Sequence, residues 1–152
     1  MSTKERVMDT QLYVLGFLFS PDRQRVALIR KAKPDWQKGL LNGIGGKVEF
    51  GEDDFQAMAR EFREETGYQK KIDWRNYCAM EGIGWEVSCF VALGDVDALA
   101  TADEEEPVEV RRVEELHPGC KGTIENLPWL IALALDSGRD WEPAFTKVLY
   151  TR

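Results

Sequence analysis

Residues 46–68 read GKVEFGEDDFQAMAREFREETGY, and the order of turn formers, carboxylates and apolar residues along them decides the fold. Asp53 can N-cap a helix, and Gln56 three residues on completes a capping box. Phe55, Met58, Ala59 and Phe62 recur at i, i+3, i+4 and i+7, which predicts an amphipathic helix with these residues as its core stripe. Gly67 suits the left-handed turn that ends a helix, so the helix is expected from about Asp53 to Thr66. Glu61, Glu64 and Glu65 stand at i, i+3 and i+4 and share one flank. Like charges at that spacing destabilise a bare helix, and a dication bound between them removes the repulsion. Hard oxygen donors with no His or Cys beside them favour Mg²⁺ or Mn²⁺ over zinc.

Outward from this helix the chain is mostly strand-like. Gln11–Ser20 (QLYVLGFLFS) is a continuous run of β-formers, as a strand buried on both faces requires, and Arg25–Lys31 is a second strand across a turn at Pro21–Gln24. Pro34–Leu41 is expected as loop, since Pro34, Asp35 and Gly39 interrupt any element. Ile44–Phe50 is Gly-rich and strand-like. Gly43, Gly45 and Gly46 allow either a close backbone approach or a bulge there. Trp74–Met80 and Trp85–Leu93 flank a turn at Gly82–Gly84. An acidic loop, Ala102–Pro107, precedes a strand at Val108–Val113. Asn126–Leu135 is an apolar helix, and Trp141–Tyr150 is expected to be a final edge strand. Strands on both sides of a helix, with a second late helix, predict an α/β fold with a mixed sheet between helices.

Composition narrows the function. The 152 residues, 43% hydrophobic, fit one globular domain with a core. A net charge of −7 is poorly suited to a nucleic-acid polymer, whose binding is mostly phosphate neutralisation, but leaves room for a small polyphosphate bridged by metal. Cys78, Cys89 and Cys120 form an odd set without C-x-x-C spacing, the pattern of reduced thiols in an intracellular protein. Lys4, Glu5, Arg6 and Asp9 interrupt any apolar leader, and no stretch has the length of a membrane span. A cytoplasmic protein, monomer or homodimer, is the expectation.

Gly46, Glu52, Arg60, Glu61, Glu64, Glu65 and Gly67 stand at the spacing G-x5-E-x7-R-E-x-x-E-E-x-G. This is the Nudix box, and on this segment the chain resembles the Nudix hydrolases. Seven such positions coincide by chance about once in a hundred million windows, so the pattern outweighs a solvated acidic helix face. One departure is Tyr68, where the family has an aliphatic residue. The resemblance implies a single α/β/α sandwich over residues 1–152, with Arg60 reaching back to Glu52 to brace the loop against the helix. It implies metal ligands at Glu61, Glu64 and Glu65, at the backbone carbonyl of Gly45, and at an acidic residue from a later loop. There Glu106 fits the family register best and Glu105 second. A bound metal would activate water, with Glu64 favoured as the base and Glu61 next. His117, alone in a Pro-Gly loop, is not expected to serve.

The stretch Leu41–Val48 (LNGIGGKV) is similar to the loop of MutT-like enzymes, which convert nucleoside triphosphates, including oxidised purines, to monophosphate and pyrophosphate. Such chemistry belongs to nucleotide pool sanitation. The likeness makes Asn42 a contact to the base, its amide able to donate and accept. Glu125 and Asn126, opening the late helix, match the second base-reading position. Asn126 also reads as a simple N-cap. Thr123 stands where the mammalian oxidised-purine enzyme stacks a Trp; Trp36 or Tyr13 could stack on a base instead, though each reads first as a core or surface-packing residue. Arg30 and Lys31 match the triphosphate-binding cation at the end of the second strand, and Lys47 can reach a phosphate oxygen. The Pro after the box that marks ADP-ribose hydrolases is absent, as is the Tyr of dinucleoside polyphosphate hydrolases. The alternatives are a Nudix-fold binding module without catalysis and a hydrolase of another nucleoside diphosphate derivative such as ADP-ribose.

Overall fold

The computed structural model describes residues 10–136 and 144–151. Its strands are β1 (Gln11–Phe19), β2 (Arg25–Arg30), β3 (Leu41–Asn42), β4 (Ile44–Lys47), β5 (Arg75–Gly82), β6 (Trp85–Leu93), β7 (Val108–Arg112) and β8 (Thr146–Leu149). The helices are α1 (Asp54–Thr66) and α2 (Leu127–Leu135). The sheet runs β3-β2-β1-β6-β5-β8, with β4 paired to β1 and β7 to β2. It is mixed, since β1 and β6 are parallel while β1–β2 and β5–β6 are antiparallel hairpins.

β1 and β2 pair only at Leu18–Ala27 and Phe19–Val26 and then diverge. Residues 41–47 fill the gap. They pair with β2 through β3, at Ile29–Asn42 and Arg30–Leu41, and with β1 through β4, from Gly16–Ile44 to Tyr13–Lys47. The predicted loop at Pro34–Leu41 therefore ends one residue early, because Leu41 enters β3, and it contains a 3₁₀ turn at Asp35–Gln37. The expected terminal strand is present as Thr146–Leu149, at the edge and parallel to β5; its predicted start at Trp141 lies outside the described residues.

Alternation along the strands builds a core on each face. Val14, Leu18, Ile44, Trp74 and Phe90 pack with Met58 and Phe62 of α1. Phe17, Leu28, Leu41, Tyr77 and Met80 pack with Leu127, Leu130 and Ile131 of α2. Both faces of the central strands are covered, which explains the unbroken apolar run of β1. The result is the α/β/α sandwich.

α1 starts and stops as its sequence dictates. The Asp53 carboxylate accepts the Gln56 N–H at 2.8 Å, and the Gln56 side chain accepts the Asp53 N–H at 2.8 Å. Gly67 takes φ 69° and donates its N–H to the Arg63 carbonyl. The predicted core stripe is corrected in half of its members. Met58 and Phe62 are buried, but Phe55 is 52% exposed and Ala59 faces solvent, while Ala57 and Thr66 are buried instead. The stripe is rotated, so the face turned to the sheet also carries Glu61 and Glu65. α2 is apolar all round. Asn126 occupies its N-cap position with helical dihedrals and no side-chain capping bond, so the simple cap reading fails, and Pro128 sits in the first turn.

Candidate active site

Arg60 joins the loop after β4 to α1. Its Nε donates to Glu52 Oε2 at 3.0 Å and its Nη2 to Glu52 Oε1 at 2.7 Å. Nη2 also donates to the Lys47 carbonyl at 3.0 Å, and Nη1 to Glu61 Oε1 at 2.9 Å and Glu64 Oε2 at 3.3 Å. Glu52 in turn accepts the Glu49 N–H at 2.8 Å. The bonds from Arg60 hold the Glu52 carboxyl below its usual range and the guanidinium above its own. One planar fork thus fixes loop, helix start and two helix carboxylates together, a geometry an ammonium could not supply.

Glu61 and Glu65 turn inward where Glu64 turns out. Glu64 is 60% exposed on its side chain and touches only the Arg60 fork. Burial pushes the Glu61 carboxyl up, against the pull of Arg60. Glu65 is more enclosed. Burial first, then the charge of Glu61, pushes its carboxyl up to about 8; Lys31 pulls it down, and Glu106 and Glu64 add to the rise. Its Oε2 is buried without a hydrogen-bond partner. Of the three acidic residues offered by the later loop, Glu104 and Glu105 are exposed, whereas Glu106 is 6% exposed and faces Glu65. Glu106 Oε2 accepts the N–H groups of Ala32 at 2.7 Å and Lys33 at 3.3 Å and lies 3.4 Å from Lys31 Nζ.

The glycines form the floor beside this cluster. A Cβ on Gly46 would stand 2.5 Å from Glu61 Oε1, and one on Gly45 would stand 1.9 Å from the Val14 carbonyl oxygen. Only glycine lets β4 lie against β1 and leave room for the Glu61 carboxylate. The close-approach reading of these glycines holds, and the β1–β4 register carries no bulge.

The remaining sequence candidates are scattered. Lys31 is turned into the acidic cluster. Arg30 is not free for a phosphate: its Nε and Nη2 bind Glu109 in a bidentate pair, and its Nη1 donates to the Gly39 carbonyl. Glu109, unnoticed in the sequence, also pairs with Arg111, and the two guanidiniums hold its carboxyl down at about 2. The signal that finds it is the alternation of β7, which puts Glu109 opposite Leu28 beside Arg30. Lys47 is exposed. Asn42 donates to Gln37 Oε1 at 3.2 Å and accepts the Gly43 N–H at 2.8 Å. Asn126 contacts Met80 Sδ at 3.6 Å, at the start of α2. Glu125, Thr123 and Trp129 line a hollow of about 290 Å³ beside the start of α2. Trp36 is exposed, Tyr13 half-buried, and His117 is an exposed loop residue bonded to its neighbour Pro118.

The donor set can be tested against a hard dication. No group of three or more His, Cys, Asp or Glu side chains among the described residues is gathered as a finished metal cage. Yet a desolvated carboxylate with an unpartnered buried oxygen, near two further carboxylates, is costly unless it takes a proton or a cation joins it. Glu61, Glu65 and Glu106 therefore fit a hard divalent cation, which takes oxygen ligands.

Comparison with known proteins bears on the fold and the family. No curated protein sequence matches the chain significantly. Among solved structures it is similar to a Nudix hydrolase from Nitrosomonas europaea, with 18% identity, TM-score 0.72, and coverage of 95% of this chain and 80% of that one. It is also similar to the MutT protein from Bacillus halodurans, with 21% identity, TM-score 0.66, and 93% and 90% of the two chains covered. A MutT studied from Aliivibrio salmonicida and Vibrio cholerae gives 22% identity, TM-score 0.58, and 70% and 83%. At these identities the likeness is one of fold. The NUDIX domain profile, however, matches the sequence itself over residues 9–130. With the box loop, its helix and the facing carboxylates all inside that span, the chain belongs to the Nudix hydrolase family.

Proposed function

We propose that this Nudix hydrolase is a Mg²⁺- or Mn²⁺-dependent pyrophosphohydrolase of nucleoside triphosphates, oxidised purine nucleotides among them, releasing nucleoside monophosphate and pyrophosphate. The observation that carries the metal-dependent hydrolysis is Glu65, its Oε2 buried and unpartnered between Glu61 and Glu106. The nucleoside triphosphate rests on the match of Asn42 and the Leu41–Val48 loop to MutT-like enzymes, and on the MutT folds among the similar structures.

Glu61, Glu64, Glu65, Glu106 and the Gly45 carbonyl would hold the metal, which when bound neutralises phosphate charge and acidifies a water for in-line attack. Arg60 keeps Glu61 and Glu64 in place by hydrogen bonds and takes no proton itself. Glu64 is the favoured base, because its open carboxylate can take a proton and hand it to solvent. Glu61, raised by burial, is the second choice. Lys47 and Lys31 offer charge to the phosphates, and Asn42 and Asn126 offer amides to the base. Arg30 is left out of this set because Glu109 holds it.

No helix among the described residues is long and apolar enough to cross a membrane. Free thiols at Cys78, Cys89 and Cys120 support a cytoplasmic location.

The test is a panel of nucleoside triphosphates, nucleoside diphosphates, dinucleoside polyphosphates and ADP-ribose, incubated with and without Mg²⁺. Pyrophosphate and monophosphate from triphosphates, only with metal, is the expected result. Release of AMP and ribose phosphate from ADP-ribose at a higher kcat/KM would replace the substrate assignment, and binding without turnover of any member would replace the enzyme by a binding module.

A further inference from the structure

Of the three cations offered for phosphate, Arg30, Lys31 and Lys47, Lys31 is the one that faces the inside of the site. Its backbone is pinned where β2 ends, with its N–H on the Leu40 carbonyl at 2.9 Å and its carbonyl accepting from Gly39 at 2.7 Å. Its side chain is only 17% exposed and leads away from solvent to Glu106, whose Oε2 lies 3.4 Å from Nζ. That oxygen already takes the amides of Ala32 and Lys33, so the lysine adds charge to an acceptor whose hydrogen bonds are largely made. The charge also reaches the neighbouring Glu65. Arg60, the other cation of the cluster, is committed at the opposite end to Glu52, Glu61, Glu64 and the Lys47 carbonyl. Of the inner carboxylates, Glu106 is therefore the one that Lys31 pairs, beside Glu65.

We propose that Lys31 is a resident counter-ion of the metal-free site, its ammonium paired with Glu106 beside Glu65 and giving way when a dication binds those two side chains. This rests on the metal reading above, and goes beyond it in making metal entry an exchange of cations. An ammonium and a dication drawn to the same two carboxylates repel each other. A lysine suits the task because its compact charge rides on a flexible stem and can leave without breaking a planar fork. Once displaced, the ammonium is free to meet an anionic substrate, so metal binding and substrate binding are coupled through one side chain.

The test is Mn²⁺ binding to the full chain, followed by electron paramagnetic resonance and by titration calorimetry, with no substrate present. Lys31→Met removes the charge and keeps the stem. It should bind Mn²⁺ on the order of tenfold more tightly than the wild type, a coupling of ordinary size. Its melting temperature without metal should fall and should be restored by Mn²⁺, which takes over the neutralisation. Lys31→Arg, which keeps a charge, should bind Mn²⁺ within about threefold of the wild type. If Lys31→Met is too unstable to titrate, recovery of its near-ultraviolet circular dichroism on adding Mn²⁺ supports the exchange, and no recovery overturns it. A Lys31→Met affinity equal to or weaker than the wild type also overturns it, and leaves the metal site standing provided that the wild type binds Mn²⁺ and Glu65→Gln does not. A wild type that binds no Mn²⁺ overturns both.

Discussion

Arg60 and Glu52 face each other across the box loop in a two-point contact, Nε to Oε2 at 3.0 Å and Nη2 to Oε1 at 2.7 Å. The same guanidinium touches Glu61 and Glu64, so the position of both helix carboxylates depends on a residue before the helix begins. Glu52→Gln keeps the shape and removes the anion. Turnover should fall about 10–100-fold, the usual loss on removing a partner that orients ligands. Arg60→Lys should do at least as much harm, because one ammonium cannot make both contacts. Steady-state rates at saturating Mg²⁺ check this, and either variant within threefold of the wild type refutes the bracing role.

Glu65→Gln should abolish metal-dependent turnover while leaving the metal-free fold at least as stable. Burial first, and the nearby charge of Glu61 second, make an ionised side chain costly here, and an amide removes that cost. The measurement is the melting temperature with and without Mg²⁺. The wild type should rise on adding the ion and the variant should not.

Glu106→Gln should slow the reaction more than Glu104→Gln. Glu106 is buried against Glu65 and the Ala32–Lys33 amides, whereas Glu104 lies in solvent. If Glu104→Gln is the more damaging, the ligand must be sought elsewhere in the loop.

Asn126→Ala should flatten the preference among bases without the loss of about 1 kcal/mol that a broken N-cap brings, because its amide caps nothing. kcat/KM for four nucleoside triphosphates, measured beside the melting temperature, separates the roles. An unchanged profile moves the base-reading site to Glu125 and the hollow it lines.

The Arg30–Glu109 pair predicts an acid limb in stability. The Glu109 carboxyl is held down at about 2 from an ordinary 4.5 by Arg30 first and Arg111 as well. A carboxyl depressed by folding contributes stability that is complete above its unfolded value and is lost as pH falls towards its folded one. The wild type should therefore melt higher than Glu109→Gln at neutral pH, and the gap should shrink between about pH 4.5 and pH 2. Paired melts across that range check it, and a gap independent of pH would mean that the pair acts by packing alone.

What the sequence disclosed followed local chemistry. The capping box of Asp53 and Gln56, the stop at Gly67 and the two hairpins are all written within a few neighbouring residues. What it concealed depended on contacts made across the chain. Phe55 and Ala59 looked like core because apolar residues were counted, yet the buried face is centred on Ala57, Met58, Phe62 and Thr66 and carries Glu61 and Glu65 beside them. Arg30 looked like a ligand for phosphate because its partner, Glu109, arrives from β7. The choice of Glu106 among three glutamates became a matter of burial only once the loop was folded against Ala32.

The parallel pairing of β1 with β6 also fixes when the site can exist. Gln11 finds Trp85 and Phe19 finds Leu93, with the whole box helix lying between them in the chain. Contacts so distant along the chain form slowly, because closing the loop costs entropy before pairing returns anything. As the chain leaves the ribosome, every residue of α1 has emerged while half the wall it packs on is unmade. A fragment ending before Trp85 would carry every residue of the box and still assemble no active site. The acidic helix, born early, waits for a strand made late, and it is in that interval that its inward carboxylates stay hydrated.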